Sequence, residues 1–370
     1  MVLLSAVVSS ALGAAPAPAP TSSKPQVIEE RFKSGALRAK RTVRKDAKGN
    51  PLDHGVTETY YEKGPIASRY LYRDGERDGP WTEWYESGKK KGEGAYRRGR
   101  KEGPEVRYFT DGEKKQETNF HDDVKHGKVI TWHAGGQKAQ EQNYDQGELD
   151  GPQSRWYPDG TPQDVIPYVH GTKHGIAMLY YRNQQKSMEI EYDKGTKNGH
   201  YAEWYAGGQQ KTERIYKDGT LDGPFSEWHP DGSLKARGEY ELGRRKGLWQ
   251  EWWPLDADHH LKVDATYEDG EFTGLFTSWY RNGQMQALAT YDEGKKTGLA
   301  LEWYESGKKR TECLYEENAP NGPKMAWFES GAPKSVTGYR MGNKEGDSYE
   351  WSEAGELLSG TKYHNGAPVK

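Results

Sequence analysis

The chain has 370 residues, of which 33% are hydrophobic, and its mean hydropathy of −1.10 is low for a protein with one large globular core. Aromatic residues nevertheless make up 12% of the sequence, and because disordered chains are poor in aromatics we expect these rings to pack. A formal net charge of −3 gives no bulk positive field, which argues against nucleic acid or an anionic membrane as the partner. The single cysteine, Cys313, excludes an internal disulfide framework and a cysteine-rich metal site.

The N-terminal segment has the composition of an export signal followed by a tether. Residues 1–15, MVLLSAVVSSALGAA, form an apolar run of signal-peptide length that ends in small residues, and residues 16–29 form a Pro/Ala/Ser linker. We therefore expect an exported protein, periplasmic or extracellular; the alternative is a cytoplasmic protein with an apolar tail. The run lacks a preceding Lys or Arg, so we expect the translation start upstream. No later segment is apolar enough to span a membrane.

Residues 30–370 form a repeat array with a period of 24 residues, marked by glycines that we call the repeat glycines. They lie at Gly79, Gly103, Gly127, Gly151, Gly175, Gly199, Gly223 and Gly247 and, after one step of 27 residues, at Gly274, Gly298, Gly322 and Gly346. The repeat tyrosines have the same period, at Tyr72, Tyr96, Phe120, Tyr144, Tyr168, Tyr192, Tyr216, Tyr240, Tyr267, Tyr291, Tyr315, Tyr339 and Tyr363. With Gly55 and a half unit near residues 31–35, the array holds about thirteen repeats.

Each repeat has the pattern of one β-hairpin. The segment PWTEWY (80–85) alternates and is rich in aromatic residues, the turn ESGK follows it, and KKGEGAYR (90–97) is the return strand. Asp-Gly and Asn-Gly pairs at equivalent turns supply the positive φ angles that tight hairpins need. We therefore predict an all-β protein: an elongated, twisted, antiparallel meander of stacked hairpins that forms an open, solenoid-like sheet.

Two aromatic columns are predicted from the repeat. Five residues after the repeat glycine stand the tryptophans that we expect to form the structural core of the repeats: Trp84, Trp132, Trp156, Trp204, Trp228, Trp252, Trp279, Trp303, Trp327 and Trp351. The next residue is also ring-bearing and must point to the opposite face of a strand. This second column is the candidate binding surface if it is exposed, and its members are Tyr85, Phe109, Tyr157, Tyr181, Tyr205, Trp253, Tyr280, Tyr304 and Phe328, with His133 and His229 at further positions. The alternative is a sheet that curls enough to bury both columns.

The one irregularity of the array is a three-residue insertion near residues 254–262. It gathers Asp256, Asp258, His259 and His260, residue types that bind divalent metals, although adjacent histidines in a strand point to opposite faces. A longer solvated hairpin turn is the other interpretation, and we expect no metal and no cofactor.

Nothing in the repeat array predicts catalysis. Cys313 stands two residues before a repeat tyrosine, where other repeats have Gly94, Thr118, Ala265 or Ala289, so we interpret it as a small packing residue. Glutamates recur four residues after the repeat glycine and form a surface ladder rather than a catalytic pair: Glu83, Glu203, Glu227, Glu251, Glu302 and Glu350. We therefore expect a protein that is not an enzyme.

The repeat resembles the MORN-variant repeat, a β-hairpin module of bacterial repeat proteins, over nearly the whole array. The first complete example has Gly79, Trp84, Tyr85, Gly88, Lys91 and Tyr96 at the matching positions. The pattern departs from the consensus at Gln184, where a turn glycine is expected, and at ENAP (317–320). The resemblance implies a twisted all-β array and a role as a scaffold or adaptor between proteins, and some members have been credited with phospholipid binding. Related families include YwqK-type antitoxins of toxin–antitoxin systems.

We therefore expect a scaffold that binds another protein along an extended β-surface. The first alternative is a glycan or cell-wall binding module, in which the second aromatic column would stack on sugars or on a quaternary amine. The second alternative is an antitoxin, which depends only on the family resemblance. Open sheet edges also predict possible end-to-end self-association between copies.

Overall fold

The computed structural model describes residues 24–254 and 260–369, and within them all regular structure is β-strand. In chain order the strands are Gln26–Arg31 (β1), Leu37–Lys45 (β2), Pro51–Tyr60 (β3), Ile66–Arg73 (β4), Glu76–Trp84 (β5), Lys90–Arg97 (β6), Arg100–Lys101 (β7), Gly103–Tyr108 (β8), Lys114–His121 (β9), Val124–Trp132 (β10), Lys138–Asp145 (β11), Glu148–Leu149 (β12), Gly151–Trp156 (β13), Pro162–Val169 (β14), Thr172–Lys173 (β15), Gly175–Tyr180 (β16), Lys186–Asp193 (β17), Thr196–Trp204 (β18), Gln210–Lys217 (β19), Thr220–Trp228 (β20), Leu234–Glu241 (β21), Arg244–Trp252 (β22), Leu261–Glu268 (β23), Glu271–Trp279 (β24), Met285–Asp292 (β25), Lys295–Trp303 (β26), Lys309–Glu316 (β27), Ala319–Pro320 (β28), Gly322–Trp327 (β29), Pro333–Arg340 (β30), Asn343–Trp351 (β31), Leu357–His364 (β32) and Ala367–Pro368 (β33).

The described residues divide into two compact units. The first holds the residues up to Gly151 together with Pro158–Gly160, and the second holds Pro152–Tyr157 and the residues from Thr161 onward. In each unit, strands that follow one another in the chain pair antiparallel, for example β5 with β6 and β18 with β19. The prediction of an all-β, open antiparallel meander of hairpins is confirmed. The predicted signal peptide (1–15) and most of the predicted linker (16–29) lie outside the described residues.

The first turn of most described hairpins is closed by a β-bulge and a glycine. In β5 and β6, Glu83 pairs with Gly92 and Trp84 pairs with Lys90, so one residue of the return strand is extra. The turn beyond it is held by a hydrogen bond of 2.8 Å from the Gly88 amide to the Tyr85 carbonyl, and Gly88 has a φ of 81°. Gln184, which departs from the glycine pattern at this turn, still adopts a positive φ of 68°.

The repeat glycine is required by a second bulge. Tyr70 pairs with Trp81 and Tyr72 pairs with Arg77, so three residues of β5 lie opposite Leu71 alone. Gly79 sits in this bulge with a φ of 124°, a region that residues with a Cβ rarely adopt. A Cβ at Gly79 would also lie 2.5 Å from Leu71 Cδ2. The 24-residue glycine period is therefore the period of this bulge.

The two faces of the sheet differ in burial, and we name them from this difference. The core face carries the residues two and four after the repeat glycine, and the outer face carries those one, three and five after it. Most buried side chains stand two residues after a repeat glycine or two before a repeat tyrosine, among them Trp81, Val129, Ala177, Ile190, Tyr201, Trp249, Ala265, Ala289, Ala300 and Cys313. Trp81 and Trp249 are each only 2% exposed.

Candidate functional site

The second aromatic column forms a ladder of hydrogen bonds between successive hairpins. The ring hydroxyl or ring nitrogen of one hairpin contacts the carbonyl oxygen at the end of the first strand of the next, at 2.8–3.3 Å. The pairs are Tyr61 with Trp84, Tyr85 with Tyr108, Tyr157 with Tyr180, Tyr181 with Trp204, Tyr205 with Trp228, His229 with Trp252, Trp253 with Trp279, Tyr280 with Trp303 and Tyr304 with Trp327. We call this series the ring ladder.

The ring ladder is half-buried rather than open to solvent. All nine candidate residues of the column have intermediate burial. Phe109 and Phe328, which have no polar ring atom, are instead covered by Lys115 at 5.7 Å and by Lys334 at 5.5 Å from the ring centroid. The column therefore joins hairpin to hairpin, and its polar atoms are engaged within the chain.

The ten repeat tryptophans lie on the outer face and are also half-buried. The ring of Trp204 is covered by Lys186, whose ammonium lies 4.8 Å from the ring centroid and 2.6 Å from Glu189. Lys309 covers Trp327 at 5.2 Å and pairs with Glu312 at 2.7 Å in the same way. The tryptophans on the outer face are thus covered by charged side chains, whereas Trp81 and Trp249 on the core face are more deeply buried.

A row of cations on the core face was not predicted from the sequence. In eight repeats the residue two before the repeat glycine is Lys or Arg, and its charged group lies 4.6–5.2 Å from the centroid of the ring at the repeat-tyrosine position of its own hairpin. The cations are Arg77, Lys101, Lys125, Lys173, Lys197, Arg245, Lys296 and Lys344. The regular spacing of these basic residues, mostly 24 or 48 positions, is the sequence feature from which this row could have been predicted. Desolvated cation–ring contacts of this kind contribute about 0.5–2 kcal/mol each.

The glutamate ladder also lies on the core face, and its members differ in their partners. Glu83 accepts a hydrogen bond of 2.5 Å from the Tyr70 hydroxyl and one of 2.8 Å from the Arg107 guanidinium. Burial raises the pKa of Glu83, but the hydrogen bond from Tyr70 and the charge of Arg107 outweigh burial and hold that pKa below its usual value. Glu227 and Glu251 each form an ion pair with one lysine.

The outer face of the C-terminal repeats carries exposed leucines. Leu248, Leu275, Leu299 and Leu314 are 53%, 54%, 41% and 46% exposed. Leu299 pairs with Leu314 across neighbouring strands, and Leu288 pairs with Leu301. These six leucines define what we call the outer apolar patch.

In one hairpin of the outer apolar patch, the charged pair that covers other repeats is replaced, whereas the hairpin of Leu299 and Leu314 keeps the pair of Lys309 and Glu312 at 2.7 Å. In the first unit, Lys90 pairs with Glu93 at 2.7 Å on the outer face. Met285 and Leu288 occupy the same two positions of the repeat that follows Gly274. Because apolar side chains are neither charged nor strongly hydrated, the positions of Met285 and Leu288 can be removed from water at low cost.

The residues of the insertion are only partly described. Asp256, Asp258 and His259 lie outside the described residues. His260 is described, and its Nδ1 lies 2.9 Å from the carbonyl oxygen of Arg281. Within residues 24–254 and 260–369, no group of three or more His, Cys, Asp or Glu side chains is placed to hold a metal ion. Nor does any helix in this part of the chain have the length and apolar character needed to cross a membrane.

The family comparison identifies the repeats. The MORN repeat variant family matches residues 77–97, 125–146, 221–241, 272–293 and 296–317, and each match covers one hairpin. The resemblance of the sequence to MORN-variant repeats is thereby confirmed. The similarity to YwqK-type antitoxins is not tested by these matches and stays a prediction. No curated protein matches the chain.

Some solved structures are distantly similar. The crystal structure of TcdB2–TccC3 is 12% identical, with a TM-score of 0.16, over 92% of this chain and 18% of that chain. A structure of the Photorhabdus luminescens Tc holotoxin pore is 10% identical, with a TM-score of 0.15, over 93% of this chain and 23% of that chain. This chain thus spans about a fifth of the length of these proteins, and similarity at this level does not bear on its function.

Proposed function

Because this chain is built from MORN-variant repeats, we propose that it is a non-enzymatic scaffold that binds another protein through the outer face of its C-terminal repeats. The observation that carries the proposal is the outer apolar patch, where the exposed Leu299 and Leu314 lie side by side in one hairpin and the half-buried Leu288 and Leu301 pair across successive hairpins. Contiguous exposed apolar area of this kind is typical of protein interaction surfaces. We also propose that the protein is exported, on the composition of residues 1–15.

The ring ladder gives less support to glycan or cell-wall binding. A sugar-binding platform needs ring faces that are open to solvent and polar atoms that are free to bind the ligand. The hydroxyl groups of Tyr181 and Tyr205 instead donate to carbonyl oxygens of the next hairpin. The antitoxin alternative depends on the family resemblance alone.

The test is a comparison of the partners captured by the wild-type protein and by a surface variant. The full chain and the variant Leu275→Asp/Leu299→Asp are immobilised and exposed to cell lysate and to insoluble cell wall. Leu242→Asp is the matched control, because Leu242 is 76% exposed at a hairpin turn outside the patch. We expect a discrete protein that is retained by the wild type and by the control and lost by the patch variant.

Two outcomes would overturn the proposal. Retention of the same protein by the patch variant would place its binding surface elsewhere. Retention of the wild type on cell wall alone, with release by free sugar, would favour the glycan alternative. Circular dichroism of each variant shows whether the sheet is intact.

A further inference from the structure

A row of uncharged side chains crosses the outer face of the second unit. It takes in four leucines of the outer apolar patch, and within each hairpin its two members pair with each other across β22 and β23, β24 and β25, or β26 and β27. We call it the leucine row, and its members on these successive strands are Leu248, Thr266, Leu275, Thr290, Leu299 and Leu314.

The same row carries ionisable residues in the preceding hairpins of the second unit. Glu191, His200 and Glu239 occupy positions equivalent to those of the leucine row. A partner that covers the leucine row therefore removes no charged group of the row from water, whereas a partner on the preceding hairpins would have to.

The turns that flank the leucine row along one side are acidic. They are residues 268–271, 292–295 and 316–319, which join β23 to β24, β25 to β26 and β27 to β28, and we call them the acidic turns. Glu316 stands two residues after Leu314 on β27, so the two side chains share the outer face. The equivalent turns on either side, 241–244 and 340–343, each contain an arginine. The acidic turns thus coincide with the hairpins of the leucine row.

Most carboxylates of the acidic turns are free to bind a cation. All five in the first two turns are exposed, and no ion pair of theirs is found among the described residues: Glu268, Asp269, Glu271, Asp292 and Glu293. Lys295 is the one Lys or Arg of the three turns, and it pairs with Glu317 at 3.5 Å. The five carboxylates line a cavity of about 410 Å³ beside Phe272, and the described walls of this cavity contain no Lys or Arg. The cavity has room for a basic side chain.

The spacing of the leucine row fits one side of an α-helix. Leu275 and Leu299 are one repeat apart, which is two strands or about 9.6 Å. Residues i and i+7 of an α-helix lie on one side of it about 10.5 Å apart, and residues i+3 and i+4 complete the stripe between them. Side chains on one face of an extended strand recur every ~6.6 Å, which does not match the row.

We propose that the leucine row and the acidic turns bind a basic amphipathic helix of another protein. Its apolar stripe would lie on the leucines, and its Lys and Arg side chains would point to the acidic turns. This inference rests on the proposed function and names the kind of partner. The acidic turns disfavour a second copy of this chain, which brings the same negative charge, and also an anionic membrane surface.

The experiment titrates fluorescein-labelled peptides with the full chain and follows fluorescence anisotropy. The probe is three heptads of Leu-Lys-Lys-Leu-Leu-Lys-Lys, which as a helix has leucine at i, i+3, i+4 and i+7. One control peptide has Glu in place of every Lys, and a second has the composition of the probe in an order that puts leucines on all sides of a helix. We expect a Kd on the order of 10 µM for the probe and at least about tenfold weaker binding of each control. Added salt should weaken binding of the probe, because it screens the exposed charges.

A first variant tests the leucine row. Leu275→Ser/Leu299→Ser removes two apolar contacts without adding a charge and is expected to weaken binding of the probe about tenfold or more. Leu242→Ser is the control, because Leu242 is exposed at a hairpin turn outside the outer apolar patch.

A second variant, the turn variant, tests the charges. Glu268→Gln/Glu271→Gln/Asp292→Asn neutralises three carboxylates of the acidic turns and is expected to weaken binding of the probe about tenfold and to reduce its salt dependence. The matched control makes the same change in net charge at turns on the other end of the strands, where the carboxylates are exposed and have no ion pair among the described residues: Glu329→Gln/Glu353→Gln/Glu356→Gln.

Each outcome decides the inference. Loss of affinity in both the leucine variant and the turn variant, with both controls unchanged, would support it. Absence of binding of the probe to the wild type, or equal affinity of the probe and either control peptide, would overturn it. Equal affinity of the wild type and the turn variant would also overturn it.

The capture experiment, repeated with the turn variant, separates this inference from the proposed function. A captured protein that is lost by the patch variant Leu275→Asp/Leu299→Asp but retained undiminished by the turn variant would overturn this inference alone. A captured protein that the patch variant retains would overturn both.

Discussion

The hydroxyl group of Tyr205 donates a hydrogen bond of 2.9 Å to the carbonyl oxygen of Trp228 in the next hairpin. The two residues are 23 positions apart in the sequence, and the same contact recurs along the ring ladder. Stability of a repeat array is approximately a sum of terms within repeats and between neighbours. The hydrogen bonds of the ring ladder contribute to the interaction free energy between neighbouring repeats.

Removal of one hydroxyl from the ring ladder tests this contribution. We expect Tyr205→Phe to lower the free energy of unfolding by about 1 kcal/mol, since the half-buried carbonyl of Trp228 loses its donor while ring packing is kept. Urea unfolding followed by circular dichroism measures the change. Tyr349→Phe is the control, because no hydrogen bond of the Tyr349 hydroxyl is found in the described part of the chain. Equal effects of the two variants would argue against a stabilising ladder.

A second prediction concerns the close approach of Gly238 and Trp249. A Cβ at Gly238 would lie 2.3 Å from two atoms of the Trp249 ring, and the ring is stacked against Phe225 at 5.3 Å and cannot move away. We expect Gly238→Ala to cost about 1–3 kcal/mol through overpacking. The cost should be much smaller in a Trp249→Val background, because Val129 stands at the same repeat position and pairs with Thr118. A double-mutant cycle with additive effects would contradict this interpretation.

A third prediction concerns Cys313, which stands two residues before Tyr315 in the sequence and is 3% exposed. Burial raises the pKa of the Cys313 thiol above its usual value, so the reactive thiolate is scarce at neutral pH. We expect iodoacetamide to label the native protein far more slowly than the protein in high urea, measured by mass spectrometry. Cys313→Ala should change the free energy of unfolding by about 1 kcal/mol or less, since Ala265 and Ala289 occupy the equivalent position. Rapid labelling of the native protein would contradict a purely structural role.

The repeat period and the hairpins could be predicted because they depend on local requirements. The bulge at Gly79 and the turn at Gly88 each need a positive φ, which leaves a glycine in the sequence at every period. Alternation then separates the two faces of each strand. The alternation of polar and apolar residues does not show which face of the sheet is more buried. That burial depends on the strand twist and on contacts with side chains of neighbouring strands. The tryptophan column was therefore expected in the core, whereas Trp84 is half-buried and Trp81, three residues earlier, is buried.

The candidate sites were less predictable than the fold. The second aromatic column is half-buried because ring hydroxyls such as that of Tyr205 bond to a carbonyl oxygen of the next hairpin. Predicting this contact requires the distance between hairpins, which the sequence does not give. The ring of Trp249 fills the space beside Gly238, and the sequence shows these two residues without showing that they are in contact. The cation row, by contrast, is visible as a periodic series that begins with Arg77 and Lys101.

The last prediction concerns acid stability and Glu203. Burial raises the pKa of this carboxyl, but the hydrogen bond from Tyr201 and the ion pair with Lys211 outweigh burial and hold it below the usual value of 4.5. A carboxyl with a lower pKa in the folded protein binds fewer protons folded than unfolded. Its contribution to the free energy of unfolding is therefore fully present above pH 4.5 and is lost as the pH falls through the folded-state pKa.

We therefore expect Glu203→Gln to destabilise the protein at neutral pH and to lose less stability than the wild type on acidification. Urea unfolding between about pH 7 and pH 3 measures both slopes. Glu302→Gln is the matched control, since Glu302 has the same repeat position but no ion pair or hydrogen bond of its carboxylate is found among the described residues. Comparison of the two variants separates the loss of the partners of Glu203 from the loss of a carboxylate at this repeat position. Parallel curves for Glu203→Gln and the wild type would show that the partners of Glu203 do not stabilise the fold through its charge.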